Sequence, residues 1–294
     1  MSEAGIGQSY GGQSMTAPLR RVLLHPPGES FLTADPRVWN YTGPPDPERA
    51  RAEHAHLVEI LRAEGVEVHI HGGENGPSAD SVFVFDPILM TDRGFVTLRM
   101  GKAPRRGEEI GLSARLESLG IPRIGAVGGV GTVEGGDLLW LDRDTLAAGR
   151  GFRTNSEGIA QLGSILADGG VRIRTYDLPV HRGARACLHL LSLISFVTSE
   201  TALVFEPLMP VALWLELRDR GIRTVSVPPE EFETLGTNVL CLRPGRCLAL
   251  GDNPRTRRLL EAEGVEVLTY PGREISLKAE GGPTCLTLPL LRKE

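Results

Sequence analysis

The sequence predicts one α/β domain, a five-bladed α/β propeller of strand-strand-helix-strand repeats around a central site. Three observations predict it. A helix-like stretch, a glycine and a short β-type run recur five times along the chain. Pairs of short strand-like runs separate the recurrences. The first and last of these runs are single, and each supplies what the other lacks.

The recurring segments are "LVEILRAEGVEVHIH", "LSARLESLGIPRIG", "LGSILADGGVRIRTY", "LWLELRDRGIRTVSV" and "RLLEAEGVEVLTY". Their Leu and Ile positions fall at helical spacing, as in Leu57, Ile60 and Leu61. Gly65, Gly120, Gly170, Gly221 and Gly264 each suit a left-handed helix cap. These glycines are 55, 50, 51 and 43 residues apart, and a period near 50 marks a closed or stacked repeat. The strand pairs between them are "SVFVFDP" with "GFVTLRM", "DLLWLD" with "TLAAGRG", "CLHLLSLISFV" with "TALVFEP", and "NVLCLRP" with "RCLALGD". Before the first helix stands only "RRVLLHP", and "CLTLPLLRK" has no helix after it. Pairing these two closes a ring, so the domain is expected over 19–294. A doubly wound sheet is the competing use of alternating strands and helices. Residues 1–18, rich in Gly, Ser and Gln, are expected as a disordered tail.

Composition narrows the function. The chain has 294 residues, 41% of them hydrophobic, enough for a large core. A net charge of −5 with no dense basic run argues against nucleic acid as a partner. No apolar run has the ~18 residues of a membrane span, and the first residues lack the apolar core of a signal peptide. Cys187, Cys241, Cys247 and Cys285 show no C-x-x-C spacing, so they are expected as reduced thiols in a cytoplasmic protein. A homodimer is compatible with all of this, and no residue argues for it.

Polar residues set in apolar runs mark the candidate site, because buried polar groups need a reason. Cys285 follows Gly281-Gly282-Pro283 at the start of a strand. His189 interrupts the apolar "ACLHLLSLISF". Glu134 and Asp137 frame paired glycines in "TVEGGDLLWL", and Asp80 and Asp86 bracket "SVFVF". A ring brings such residues to one mouth. Each has a bland alternative: a packed cysteine, a satisfied core histidine, carboxylates in turns. Together they are a thiol, a proton shuttle and carboxylates able to grip a planar, forked cation such as a guanidinium, whose carbon a thiolate attacks.

The segments "ADSVFVFDP", "PRRGEE", "VEGGDLL", "RTNSEG", "CLHLLS" and "GGPTCLTLPLLRK" appear in that order. In combination they resemble the guanidine-modifying superfamily of dimethylarginine dimethylaminohydrolases, arginine deiminases and amidinotransferases, over about residues 20–292. The resemblance implies the same five-bladed fold. It implies Cys285 as nucleophile, His189 as general acid/base, Glu134 as the carboxylate beside that histidine and Asp86 as the guanidinium grip. Arg105 and Arg153 match arginines that hold a substrate α-carboxylate; Asp80 is a weaker substrate-binding candidate and Asp137 a support of the EGGD turn. The implied partner is a small guanidino or ureido amino acid, with no cofactor and no metal.

Two departures stand out. Phe85 precedes Asp86 where an acidic residue is common in dimethylaminohydrolases, and Leu191 stands where deiminases carry Asp. Loss of a carboxylate and gain of apolar surface favour a substituted guanidine, so methylarginine hydrolysis ranks first. Arginine deimination, a citrulline-type hydrolysis, amidino transfer and an inactive binding protein are the alternatives. Zinc finds little support: His54 and His56 diverge on a helix, and His69 and His71 have no further ligand cluster. The glycines of "GAVGGVGTVEGGD" lead into a strand, unlike a dinucleotide fingerprint.

Overall fold

The computed structural model of the protein describes residues 9–72, 78–186 and 188–293. Cys187 and residues 1–8 lie outside these. The described chain forms five three-stranded sheets, the five-bladed α/β propeller expected from the repeats. The strands are β1 (Leu19–Leu24), β2 (Glu67–Ile70), β3 (Ile88–Thr91), β4 (Gly94–Thr97), β5 (Arg123–Ala126), β6 (Leu138–Asp142), β7 (Thr145–Arg150), β8 (Arg172–Asp177), β9 (Ile194–Thr198), β10 (Thr201–Val204), β11 (Arg223–Ser226), β12 (Leu240–Arg243), β13 (Arg246–Leu250), β14 (Glu266–Tyr270) and β15 (Leu288–Arg292).

Each sheet has one construction. Its first two strands pair antiparallel, through a hairpin in four of the sheets, and a helix then crosses over to a third strand parallel to the second, as in β6-β7-β8. The five long crossover helices are Pro47–Ala63, Glu108–Ser118, Ser156–Ala167, Val211–Asp219 and Pro254–Ala262. The glycines after them take φ between 70 and 79°, the left-handed conformation that lets a helix stop and turn into a strand. The ring closes as expected: β15 pairs antiparallel with β1, joining the end of the chain to its beginning.

Burial grades across every blade. The hairpin strands β3, β4 and β10 are buried throughout, whereas the third strands β2, β5 and β11 are largely half-buried or exposed. Strand β12 packs on β9 and β15 on β3, so the first strands line the centre. The five apolar clusters fill the spaces between sheets and crossover helices.

Three expectations need correction. The run "SVFVFDP" is not a strand: residues Ala79–Val82 form a 3₁₀ turn, and the strand starts after Pro87. Ser78 N–H donates to Ser81 Oγ at 3.0 Å, a local bond that competes with strand pairing, and Pro87 fixes φ at the turn exit. His189 likewise precedes its strand instead of lying in it. Residues 9–18, expected within the tail, are placed: Gly11 N–H donates to Leu290 at 2.9 Å and its carbonyl accepts from Arg292 at 2.8 Å. Backbone pairing along β15 holds a segment that composition alone reads as unstructured.

Candidate active site

Every blade delivers one residue to the centre from the short segment entering its first strand. Asp86 stands before β3, Glu134 before β6, His189 before β9, Asn238 before β12 and Cys285 before β15, each two to five residues ahead of the strand. The backbone is irregular there, so side chains project from the strand ends into the mouth of the ring. All seven residues expected in the site, Cys285, His189, Glu134, Asp86, Arg105, Arg153 and Asp80, line one cavity.

Glu134 is fully buried and His189 nearly so. His189 Nε2 lies 2.7 Å from Glu134 Oε2, and Lys102 N–H donates to Oε1 at 2.9 Å. Burial opposes the charge on Glu134, but the His189 hydrogen bond and the charges of His189, Arg153 and Arg105 outweigh it and hold the carboxyl well below its usual range. An ionised carboxylate only accepts, so Nε2 of His189 carries the proton. Gly136 makes this packing feasible: a Cβ there would sit 2.3 Å from His189 Nδ1. Asp137 is buried without exposure and accepts from Leu190 N–H at 3.0 Å, tying the EGGD turn to the histidine segment; burial raises its pKa to about 6.

Asp86 is held from two sides. Gly136 N–H donates to Oδ1 at 2.9 Å, and Arg105 Nη1 donates to Oδ2 at 2.6 Å. Arg105 has only 3% exposure. Its Nε and Nη2 bond Glu108 Oε2 at 3.0 and 2.8 Å, and Nη2 also bonds the Phe83 carbonyl at 3.0 Å. Arg105 thus fixes Asp86 and Glu108 at the cavity wall, through partners that the sequence could not assign to it. Arg153 lies 3.7 Å from Glu134 Oε1. Asp80 is similarly committed, accepting from Tyr41 Oη at 2.8 Å and Lys102 Nζ at 2.5 Å.

Asn238 was missed by sequence reasoning. Its Oδ1 accepts from Thr284 N–H at 3.1 Å, and its Nδ2 lies 3.2 Å from Cys285 Sγ. A backbone N–H can only donate, so the amide orientation is fixed and the group facing sulfur is the NH₂ donor. A Cβ on Gly282 would sit 2.5 Å from the Asn238 side chain, so the glycine before Pro283 makes room for this contact. Register was the available signal: four blades offered a polar residue just ahead of the first strand, and the fourth position around the ring, before "VLCL", holds an asparagine. Lys102 and Glu280 are further lining residues that sequence left out.

The cavity has two lobes that share Cys285, His189 and Glu280. One, of about 40 Å³, is lined by the charged residues above. The other, of about 280 Å³, is walled by apolar side chains, among them Phe85 and Leu191, and by as many polar ones, among them His181, Arg182 and Asn238. Asp86, Glu134 and His189 could each turn one ligand atom to a metal ion, these atoms lying within 4.8 Å of one another. No helix among the described residues is long and apolar enough to cross a membrane.

The family model for eukaryotic N,N dimethylarginine dimethylhydrolase matches residues 44–292. The chain belongs to the dimethylarginine dimethylaminohydrolase family. It is thus a hydrolase of C–N bonds in guanidino compounds. A dimethylarginine dimethylaminohydrolase of Streptomyces coelicolor is 32% identical over 79% of this chain and 83% of its own. An uncharacterized protein of Aeropyrum pernix is 32% identical over 83% of this chain and 84% of its own. The solved dimethylarginine dimethylaminohydrolase of Pseudomonas aeruginosa, complexed with citrulline, superposes with a TM-score of 0.78 at 24% identity, covering 92% of this chain and 99% of that one. The N-terminal domain of ArgZ, solved with a covalently bound reaction intermediate, gives a TM-score of 0.79 at 21% identity, over 93% and 98% of the two chains. These superpositions support the shared five-bladed fold.

Proposed function

We propose that this member of the family hydrolyses the guanidino carbon of a methylated arginine through a covalent intermediate on Cys285. The observation that carries the reading is the meeting of Cys285, the His189–Glu134 pair and Asp86 at one cavity, each from a different blade. Asp86 and Glu134 attract the guanidinium, whose positive charge favours the Cys285 thiolate. The Asn238 amide donor favours the same form.

The thiolate attacks the guanidinium carbon to give a tetrahedral adduct. His189 donates a proton to the departing amine as its C–N bond breaks, leaving an S-alkylthiouronium. His189 then takes a proton from water, which attacks the same carbon and expels the thiolate. With dimethylarginine the balance is dimethylarginine plus water giving citrulline plus dimethylamine. Arg153 is assigned to the α-carboxylate, and Arg105, ion-paired to Asp86 and Glu108, is the second candidate.

Purified protein is offered arginine, monomethylarginine, dimethylarginine, citrulline, and arginine with an amine acceptor, with products identified by mass spectrometry. Citrulline plus a methylamine is the expected outcome. Ammonium from arginine makes the protein a deiminase, and transfer to the acceptor makes it an amidinotransferase. Cys285→Ser is expected to lower turnover by at least ~10³-fold with an unchanged fold. Activity retained by that variant overturns the covalent mechanism.

A further inference from the structure

The first strands of the blades carry the chain from the catalytic mouth to the other end of the ring. Asp92 follows β3, Asp142 ends β6, Ser199 follows β9 and Arg292 ends β15. These residues meet around a second cavity, of about 530 Å³, that shares no lining residue with the catalytic one. Residues 13–17 form part of its wall. Gln13 pins them there: its Nε2 donates to the Arg143 carbonyl at 2.6 Å, and its Oε1 accepts from Asp92 N–H at 2.9 Å.

Arg292 is the odd member of this wall. It is only 8% exposed. Its Nη1 donates to the Ala17 carbonyl at 2.8 Å. Its Nε and Nη2 make no hydrogen bond among the described residues, and no carboxylate among them pairs with it. Neither nitrogen is sealed in protein, as the unpartnered Arg21 Nε and His54 Nε2 are. The two open donors border this cavity and the narrow space that shares Trp140 and Phe196 with it. Asp92 and Asp142 line the cavity too, but each has its own cation: Arg143 Nε lies 3.0 Å from Asp92, and Arg220 Nη1 2.6 Å from Asp142. The titratable groups that act on Arg292 are the thiols of Cys241 and Cys247. Cys241 Sγ, 3.1 Å from the Arg243 carbonyl, is placed as a neutral donor.

An arginine keeps its charge in a protein, and a buried charge without a counter-charge is costly. The shape of the gap indicates what fills it. Nε and Nη2 lie side by side on one edge of the guanidinium, a fork that matches a carboxylate. By that edge Arg246 holds Glu64, at 2.7 Å from each nitrogen, and Arg150 holds Asp177, at 2.6 and 2.9 Å. We propose that Arg292 holds the carboxylate of a small molecule by the same edge, making this cavity an anion site separate from the catalytic centre. The site does not depend on the reaction at Cys285.

The probes are sodium acetate and inorganic phosphate, each added to the protein at constant ionic strength with chloride as the background salt. Binding is read by calorimetric titration and from the thermal unfolding midpoint. Acetate is expected to bind saturably and to raise the midpoint. Arg292→Lys keeps a cation and loses the fork, and should weaken acetate binding by at least ~tenfold. Arg292→Met should abolish it and, without acetate, should unfold no earlier than the unaltered protein, because an unpaired buried charge is gone. The lysine variant keeps the test open if the methionine variant does not fold. Arg153→Met, which removes the arginine assigned to the substrate α-carboxylate, should bind acetate as the unaltered protein does. Acetate binding that survives Arg292→Met, or that is lost in Arg153→Met, overturns the site. Phosphate binding more tightly than acetate overturns the carboxylate assignment, and a response to neither anion overturns the proposal outright.

Discussion

Two clusters of buried ionisable groups sit in the same ring and solve burial in opposite ways. At the centre, Asp86, Arg105, Glu108, Glu134 and His189 are joined by hydrogen bonds and ion pairs, with Arg105 alone bonding two carboxylates. Toward the edge of the first blade, His25, His54 and His71 lie together, the rings of His25 and His71 5.5 Å apart. Burial lowers the pKa of all three, with His54 and His71 falling to about 4. The first cluster is built from paired partners. The second has discarded its charges and acts as packing that happens to be titratable. Burial alone therefore does not mark a functional residue; the presence of a built counter-charge does.

Breaking the central pairing at Glu134 should have the largest effect. Glu134→Gln keeps the shape and loses the charge that holds the His189 proton, so kcat should fall by roughly 10²–10⁴, the scale of general acid–base catalysis. An unchanged kcat in steady-state assays would detach Glu134 from the chemistry. Arg105→Met attacks the same cluster from behind. It strands Asp86 and Glu108 without their cation, a change expected to cost on the order of 3–5 kcal/mol of stability. Urea denaturation checks this, and a loss below about 1 kcal/mol would mean that the pairing is incidental.

The two clusters were not equally legible in the sequence. Glycines at regular spacing announced the repeat because only a left-handed cap lets each crossover helix stop and turn, and the lone end strands announced the closure. Cys285, His189, Glu134 and Asp86 were legible because polar residues interrupt apolar runs just ahead of first strands. The ion pairs of Arg105 were not legible because they are set by tertiary packing: Glu108 is near in sequence, but Asp86 reaches it only through the fold. Asn238 escaped notice because an asparagine in a loop is ordinary turn chemistry until Thr284 fixes its amide. The histidine cluster was invisible because His25, His54 and His71 come from a strand end, a helix and a loop.

Asn238 offers a finer cut, since it bears on the thiol without belonging to the ion-pair cluster. Asn238→Ala removes a donor to sulfur, and Asn238→Asp replaces it at constant size with a carboxylate that repels a thiolate. Both should raise the pH at which Cys285 becomes reactive, with the alanine variant alkylated roughly tenfold more slowly near neutral pH, the scale of one hydrogen bond to a charged acceptor. The aspartate variant should be slower still. The readout is the rate of iodoacetamide labelling across pH, with thermal unfolding as a check on the fold. Superimposable labelling profiles for the variants and the unaltered protein would reduce Asn238 to a loop anchor.

The smallest effect is expected at the edge cluster, and it should depend on pH. His54 is buried, with Nε2 lacking a hydrogen-bond partner among the described residues. Its pKa is about 4 in the fold, lowered by burial and then by His25, against about 6.5 in the unfolded chain. The unfolded chain therefore binds the proton first. The stability of neutral His54 is intact above about pH 6.5 and is lost as pH falls toward 4. Asp137, raised to about 6, works in the other direction, favouring the fold at low pH and losing that advantage as pH rises from about 4 to 6. Its contribution cancels when a variant is compared with the unaltered protein at one pH. His54→Leu should leave the denaturation midpoint nearly unchanged at pH 7.5 and stabilise the fold at pH 5 by on the order of 1–2 kcal/mol. Catalysis should be unaffected at either pH. An equal shift at both pH values would mean that the gain comes from apolar packing alone, and that the edge histidines are not the acid-sensitive element of the ring.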